Sequence, residues 1–276
     1  MPELPEVETI RGALARTIVG KTIVDILVRD SRLRWPVDAG RLHQSGVGSR
    51  IARIGRRSKY LMIGLETGYT LVLHLGMSGR ILLLAGEMPF EKHDHVIFYF
   101  DDGTELRFRD PRRFGMVDII ENGEVSTHPR FVALGPEPLD PRTTAAMLFE
   151  RARGLHRPVK NLLMDSAFLV GVGNIYANEA LFHARLHPAG PAGSLQLSDW
   201  EVLFSSIRKV LRNAIAAGGT TLNDFVNSDG ETGYFQLSLA VYGREGEPCP
   251  GCGGAVERFV QTGRSTFYCP VCQSPR

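Results

Sequence analysis

Four cysteines stand as two close pairs, Cys249-x2-Cys252 and Cys269-x2-Cys272, with sixteen residues between the pairs. That is the spacing of a tetrahedral four-thiolate zinc site, in which each pair sits on a tight turn and the turns meet around one ion. A site closed by four protein ligands leaves no position for water or substrate, so one structural Zn2+ per chain is expected, not a catalytic metal. Two disulfides, or four free thiols, are the competing readings; they fit that spacing poorly in a reducing compartment. The segment between the pairs alternates (Val256, Phe259, Val260, then Thr266, Phe267, Tyr268), which predicts a two-stranded hairpin carrying Arg258 and Arg264. Such a unit is too small to hold a core, so the metal would supply its folding energy. A β-ribbon is also a shape that enters a DNA groove.

At the other end the chain begins Met1-Pro2-Glu3-Leu4-Pro5-Glu6. Methionine is normally trimmed before so small a residue, and trimming makes Pro2 a terminal secondary amine. An α-amino group has a pKa of about 8, so a useful fraction is unprotonated at neutral pH. Such an amine can attack a sugar's anomeric carbon and become an iminium, an electron sink for β-elimination. Glu3 and Glu6 are close enough in sequence to move the protons. A plainer reading competes: proline after methionine is common, and acids at a helix start usually answer the helix macrodipole. These residues by themselves favour the plainer reading.

The elements that would position these groups change character along the chain. Val7, Ile10, Leu14 and Ile18 recur at helical spacing behind Pro5, a residue suited to a first helical turn. From Lys21 to about Ile120 short β-branched or alternating runs take over: Thr22–Val28, Tyr60–Leu65, Thr70–Leu75, Val96–Phe100, Thr104–Arg109 and Met116–Ile120, punctuated by Asp102–Gly103 and Asn122–Gly123. Many short strands at close spacing predict a β-sandwich or barrel with the first helix packed on it. Leu134-Gly-Pro-Glu-Pro-Leu-Asp-Pro141 is proline-rich and is expected to be an interdomain linker. Beyond it the period is helical, with Ser198-Asp-Trp-Glu201 as a capping box ahead of Val202, Leu203, Ile207, Leu211 and Ile215. Gly218–Gly219 ends that helix, and the polar stretch Thr220 to Gln236 is expected to be a long mobile loop.

Composition bounds the answer without deciding it. The 276 residues allow one large or two medium domains, 43% are hydrophobic and 22% charged, and 32 basic against 30 acidic residues leave a net charge of +2. A partner such as nucleic acid must therefore be argued from where the charges sit. The acid-free run Arg53 to Lys59, with three arginines, is one such place, although a run of this kind is usually only a solvated face. His93-Asp94-His95 looks metal-like, but strand alternation puts the two histidines on one face with a single carboxylate between them, so it is read as structural. No secretory signal and no apolar run of about 18 residues is seen, which makes a cytoplasmic protein without membrane attachment the expectation.

Several blocks together resemble one family. Pro2-Glu-Leu-Pro-Glu-Val-Glu-Thr9, Lys59, His74-Leu-Gly-Met-Ser78, Asp110-Pro-Arg-Arg-Phe-Gly115, Gly171-Val-Gly-Asn-Ile-Tyr176, Phe235-Gln236, Val241-Tyr-Gly-Arg244 and Cys269-Pro-Val-Cys272 follow one another in the order found in bacterial formamidopyrimidine-DNA glycosylases. The resemblance runs nearly end to end. It implies an α+β multidomain fold: an N-terminal catalytic β-sandwich with a leading helix (1–133), a linker (134–145), a helical helix–two-turn–helix domain with a lesion-capping loop (146–240), and a β-ribbon zinc finger (241–276). It also implies base-excision repair on double-stranded DNA by a monomer, in a bacterial cytoplasm and at the nucleoid. Oxidised purines (8-oxoguanine and formamidopyrimidines) would be removed through a Schiff base, and the abasic strand cut by β,δ-elimination.

In that resemblance Pro2 is the nucleophile, Glu3 the acid that helps open the sugar, Glu6 its support, and Lys59 holds a phosphate beside the flipped nucleotide. A terminal amine cannot reach a base inside the stack, so the nucleotide must be flipped and the hole filled. Met77, Arg112 and Phe114 would fill it, methionine as adaptable filler, phenylalanine as a wedge, and arginine as a donor to the widowed cytosine. Asn174 would cap a helix N-terminus that binds phosphate. His74, Tyr242 and Arg264 would be further backbone contacts. The chain departs from the pattern at Ser166, where glutamine is common, and at Asn223, where arginine is common. A sister class for oxidised pyrimidines typically opens Pro-Glu-Gly-Pro-Glu and lacks the Met–Arg–Phe set; a zinc protein that binds lesions without cutting is the third reading.

Overall fold

Val7, Ile10, Leu14 and Ile18 are all buried, three of them on one face of helix α1 (Leu4–Thr17), with Ile18 at its C-cap. The surface they cover is a sandwich of two antiparallel four-stranded sheets. In chain order its elements are β1 (Ile23–Val28), α2 (Ala39–Gly46), β2 (Ile51–Arg57), β3 (Tyr60–Leu65), β4 (Tyr69–His74), β5 (Arg80–Ala85), β6 (Asp94–Phe100), β7 (Thr104–Arg109) and β8 (Met116–Glu121). One sheet has the order β1-β6-β7-β5 and the other β2-β3-β4-β8. Ile23, Val96, Phe98 and Phe108 from the first meet Leu61, Ile63, Leu71, Leu73 and Val117 from the second in one cluster, which also takes in α1. Pairing in this core is fixed by alternation: a slip of one residue would turn each of these side chains outward.

The computed structural model describes residues 2–86, 88–218 and 239–275. The expected loop at Thr220–Gln236, with Asn223 and the Phe235-Gln236 block, lies outside the described residues. Two compact units are present, the first reaching Val132 and the second beginning at Ala133. Helix α3 (Pro129–Val132) closes the first.

The second unit contains α4 (Ala145–Ala152), α5 (Val159–Leu163), α6 (Asn174–His183), α7 (Leu197–Ala216) and a ribbon of β9 (Glu257–Gln261) with β10 (Arg264–Tyr268). Thr144 caps α4 by accepting from the Met147 N–H at 3.1 Å. Helix α7 starts earlier than Ser198 suggests. Asp199 accepts from the Gln196 N–H at 3.0 Å, and Ser198 lies inside the first turn. The proline-rich stretch is packed into this unit. Gly135 donates to Ser166 O at 2.8 Å, and Arg208 donates to the carbonyls of Pro138, Asp140 and Thr143 at 2.8, 2.7 and 2.9 Å. Prolines bar it from helix and strand, but not from burial. The ribbon likewise shares a core with α6, through Phe182, Val241, Val256 and Phe267. Among the described residues no helix is long and apolar enough to cross a membrane.

Candidate active site and nucleic-acid interface

The start of α1 gathers the proposed chemistry of the first unit. Pro2, Glu3 and Glu6 are all buried, and Glu3 stands at the N-cap. Glu6 accepts from the Glu3 N–H at 2.8 Å, and the two carboxylates form a reciprocal capping box. The positive end of the helix favours carboxylates there. One turn on, Glu8 accepts from Arg56 Nε at 2.8 Å, while Arg56 also donates to Ser58 O at 2.8 Å. These bonds tie the β2–β3 turn, which carries Lys59, to α1. Ser58 bends that turn with a left-handed φ of 56°.

His74 ends β4 opposite Tyr60, whose ring lies 4.8 Å from it. Burial, then the charges of Lys59 and Arg34, pushes its pKa down to about 4. Its Nδ1 accepts from the Gly76 N–H at 3.0 Å, so the neutral ring carries its proton on Nε2, as a donor. Arg34 is held here by its N–H on Gly115 O at 3.3 Å and by its guanidinium over Trp35 at 4.5 Å. A stability prediction follows. An unfolded histidine titrates near its ordinary 6.5, so between 6.5 and about 4 the unfolded chain binds more protons, and the fold loses stability as pH falls through that window. His74→Gln should flatten this acid limb by several degrees of melting temperature between pH 7 and pH 4.5. An unchanged limb would mean that His74 titrates in the fold as it does in the unfolded chain.

Two loops meet just beyond His74. Met77 and Phe114 are each 43% exposed, and the Arg112 guanidinium lies 5.0 Å over the Phe114 ring. Gly76 has φ 59°, and a Cβ there would overlap the Phe114 carbonyl, so only glycine lets the backbones approach this closely. The hub is Asp110, which is wholly buried. Its carboxylate accepts from Ser78 Oγ at 2.6 Å, Gly115 N at 2.7 Å and Arg112 N at 3.2 Å, and its carbonyl from His95 Nε2 at 2.8 Å. Asp94 is used up by Arg107 at 3.0 Å and Arg109 at 2.6 Å, which explains the His93-Asp94-His95 run without a metal.

In the second unit Asn174 does not cap α6. Gly173 takes the N-cap in an extended conformation, and Asn174 is the first helical residue, its Nδ2 donating to Ser265 O at 3.0 Å. The side chain therefore fastens α6 to the ribbon. Lys160, also buried, donates to Ser265 O at 3.0 Å and Thr266 Oγ1 at 2.6 Å. The ribbon turns through Thr262 (φ 50°) and Gly263 (φ 72°), a two-residue hairpin with both residues left-handed, and leaves Arg264 exposed at its tip. Glu179 accepts from the N–H groups of Ala240, Val241 and Tyr242 at 2.8, 2.9 and 2.9 Å, fixing the backbone that presents Tyr242. The Sγ atoms of Cys249, Cys252, Cys269 and Cys272 all lie within 4.8 Å of one another. With Zn–S bonds of about 2.3 Å, a tetrahedron needs S···S separations of about 3.8 Å. The pairs Cys249–Cys272 at 3.9 Å and Cys252–Cys269 at 3.5 Å match this, so the cluster can hold one zinc ion.

Family models match along the chain: the formamidopyrimidine-DNA glycosylase N-terminal domain over residues 1–117, the H2TH domain of the same enzymes over 134–226, and the zinc finger found in FPG and IleRS over 246–275. Formamidopyrimidine-DNA glycosylases of Laribacter hongkongensis and Acidithiobacillus ferrooxidans are each 49% identical over 273 residues, covering 99% of this chain and 100% of theirs. The chain belongs to the formamidopyrimidine-DNA glycosylase family. A variant of the Lactococcus lactis enzyme, solved with DNA containing Fapy-dG, superimposes with a TM-score of 0.91 at 32% identity over 99% of this chain and 100% of that one. The enzyme of that species with abasic-site DNA gives 0.90 at 33% over 99% of each chain.

As a member of this DNA-repair glycosylase family, the chain holds Pro2, Glu3 and Glu6 at one helix start, His74 within the field of Lys59, and Met77, Arg112 and Phe114 on two abutting loops. Asn174, Arg264, Tyr242 and the four cysteines are organised around the ribbon. Sequence reasoning missed Arg34, whose signal was the Arg32-Leu-Arg34-Trp35 cluster of cations and indole. It gave no role to Asp110, quoted only as the start of its block, or to Glu179, acids whose partners are mostly backbone N–H groups, which carry no mark in a sequence. His93, set aside as structural, is half-buried and accepts the Asp110 N–H on its carbonyl at 3.1 Å, so it borders the Arg112 loop.

Proposed function

We propose that this chain removes oxidised purines, 8-oxoguanine and formamidopyrimidines, from double-stranded DNA and then cuts the abasic strand, acting on the bacterial chromosome in the cytoplasm. The reading is carried by the start of α1, where a residue-2 amine, once Met1 is trimmed, lies beside two buried carboxylates at a helix N-terminus. The Pro2 nitrogen attacks C1′ and the base leaves with its bonding pair and a proton. Glu3 protonates the sugar oxygen as the ring opens to an iminium. Loss of a C2′ proton expels the 3′ phosphate, loss of the C4′ proton expels the 5′ phosphate in a second elimination, and water releases the amine. Glu6 fixes the Glu3 backbone, and Lys59 holds a phosphate beside the flipped nucleotide. His74, Tyr242, Arg264 and the N-terminus of α6, which Asn174 fastens to the ribbon, grip the DNA backbone.

Met77, Arg112 and Phe114 fill the void left by the flipped nucleotide. Their joint placement supports this: all three are exposed on two loops that abut at Gly76, with Arg112 over the Phe114 ring. Flipping costs a few kcal/mol of unpairing and unstacking, which the inserted groups offset, so Met77→Ala should slow excision from duplex by roughly tenfold. Cleavage at a preformed abasic site should suffer less, since no base has to be extruded there. Arg112→Ala should also relax discrimination among opposing bases. Equal losses on both substrates, with normal stability, would place Met77 in the support of the loop and not in the void.

The reading for oxidised pyrimidines has one finding beside it, a Lactococcus lactis structure with oxidised-pyrimidine DNA. Leu4 and the Met–Arg–Phe set favour purines. Single-turnover rates on duplexes carrying 8-oxoguanine opposite cytosine, against duplexes carrying an oxidised pyrimidine, decide between them. Faster release of the pyrimidine would overturn the proposal, and no strand cleavage on either would leave a lesion-binding zinc protein.

A further inference from the structure

We infer that Ser78 is a positioning residue that locks the Met77 loop to the Arg112–Phe114 loop through Asp110, so that the three void-filling side chains act as one wedge. The inference rests on the void-filling reading above and says how the set is held. Ser78 follows Met77 directly and is half-buried. Its Oγ donates to Asp110 Oδ1 at 2.6 Å and accepts from the Arg112 N–H at 3.2 Å, so one hydroxyl bonds both the hub and the residue that carries a second wedge group. Asp110 cannot give way. Its Oδ2 holds Gly115 N at 2.7 Å, its N–H is taken by His93 O at 3.1 Å, and its carbonyl is bonded to His95 Nε2 at 2.8 Å. A carboxylate fixed on these sides is a rigid post, and the hydroxyl that bonds it inherits its position.

Two separate loops would each have to be ordered as the duplex opens. Locked loops are ordered in advance, and the loss of one wedge group then disables most of what the other contributes. Ser78→Ala suits a test because Asp110 Oδ1 keeps the Arg112 N–H at 3.2 Å, so no buried oxygen is left bare.

The experiment is a double-mutant cycle on single-turnover excision of 8-oxoguanine from duplex DNA, using the full-length zinc-loaded protein. Met77→Ala, Phe114→Ala and their combination are measured with Ser78 present and again with Ser78→Ala. With Ser78 present, the combined variant should be about fivefold faster than the product of the single losses implies. In Ser78→Ala the losses should multiply to within about twofold. Ser78→Ala alone should slow excision more than abasic-site cleavage, and Ser78→Thr, which keeps the hydroxyl, should recover the rate. Multiplicative losses with Ser78 present, each single variant being slow, would overturn the lock while leaving the void-filling reading intact. Single variants as fast as wild type would overturn that reading and the lock with it. Coupling that survives Ser78→Ala would assign it to the Gly76–Phe114 backbone contact and remove Ser78 from the role.

Discussion

A protein that retains Met1 should lose strand cleavage by about 10³-fold or more, the scale of loss when an enzyme's nucleophile is removed. An amide nitrogen has no available lone pair, so a residue ahead of Pro2 ends iminium chemistry whatever else is intact. Pro2→Gly should also lose most activity: it restores a terminal amine, but a primary and more mobile one, without the ring that fixes its direction. Borohydride added during turnover reduces the iminium to a stable amine, and mass spectrometry of the trapped complex should place the DNA on residue 2. The buried capping box gives this its structural basis, because the Glu3 backbone next to the nucleophile is held by Glu6 at 2.8 Å. A crosslink mapped to Lys59 would overturn the mechanism while leaving the enzyme a lyase.

Cys269→Ser should empty the zinc site, lowering zinc from one per chain to none, and weaken DNA binding by about 100-fold, equivalent to ~2.7 kcal/mol. Zinc contributes an apparent 10–16 kcal/mol in small zinc-finger peptides, as much as or more than the net stability of a whole domain. Cys269 is wholly buried in the core that the ribbon shares with α6, and its N–H is accepted by Gln273 at 3.0 Å. When the ribbon opens, the anchors of Asn174 and Lys160 on Ser265 go with it, and Arg264 loses its platform. The sandwich, whose core contains none of these residues, should keep its amide protection. Unchanged DNA affinity after complete chelation would remove the ribbon from the binding surface.

What could be read from sequence followed the strength of each local signal. Cysteine spacing is set by the geometry of one ion, and it located the cluster. The apolar stripe of α1 and the clean strands Tyr60–Leu65 and Thr104–Arg109 coincide with observed elements, because burial on one face forces a period. Strand β2 escaped: Arg53, Arg56 and Arg57 read as a charge run, and a bulge after Ile51 breaks its alternation. So did β5, whose Ile-Leu-Leu-Leu core has no alternation, and α2, a short helix in which Leu42 is the buried side chain of any size. At the site, residue types were legible but attachments were not. Asn174 suits a cap by type, yet it bonds a strand 91 positions away. Asp110 and Ser78 stand 32 positions apart, and only the fold makes them neighbours.

The glutamate at the head of α1 has a consequence for heat tolerance. Serine, threonine, aspartate and asparagine are the side chains that cap helices best, and glutamate is not among them. Glu3 nevertheless holds that position, at a helix whose inner face anchors the first unit's core. On the proposed chemistry the same carboxylate must pass a proton to the sugar, a task that a hydroxyl cannot perform. On that reading, catalysis and thermostability pull the choice of residue in opposite directions, and the glutamate follows catalysis. On that chemistry, a redesign that exchanged Glu3 for a better cap in pursuit of melting temperature alone would give up the proton donor of the repair reaction.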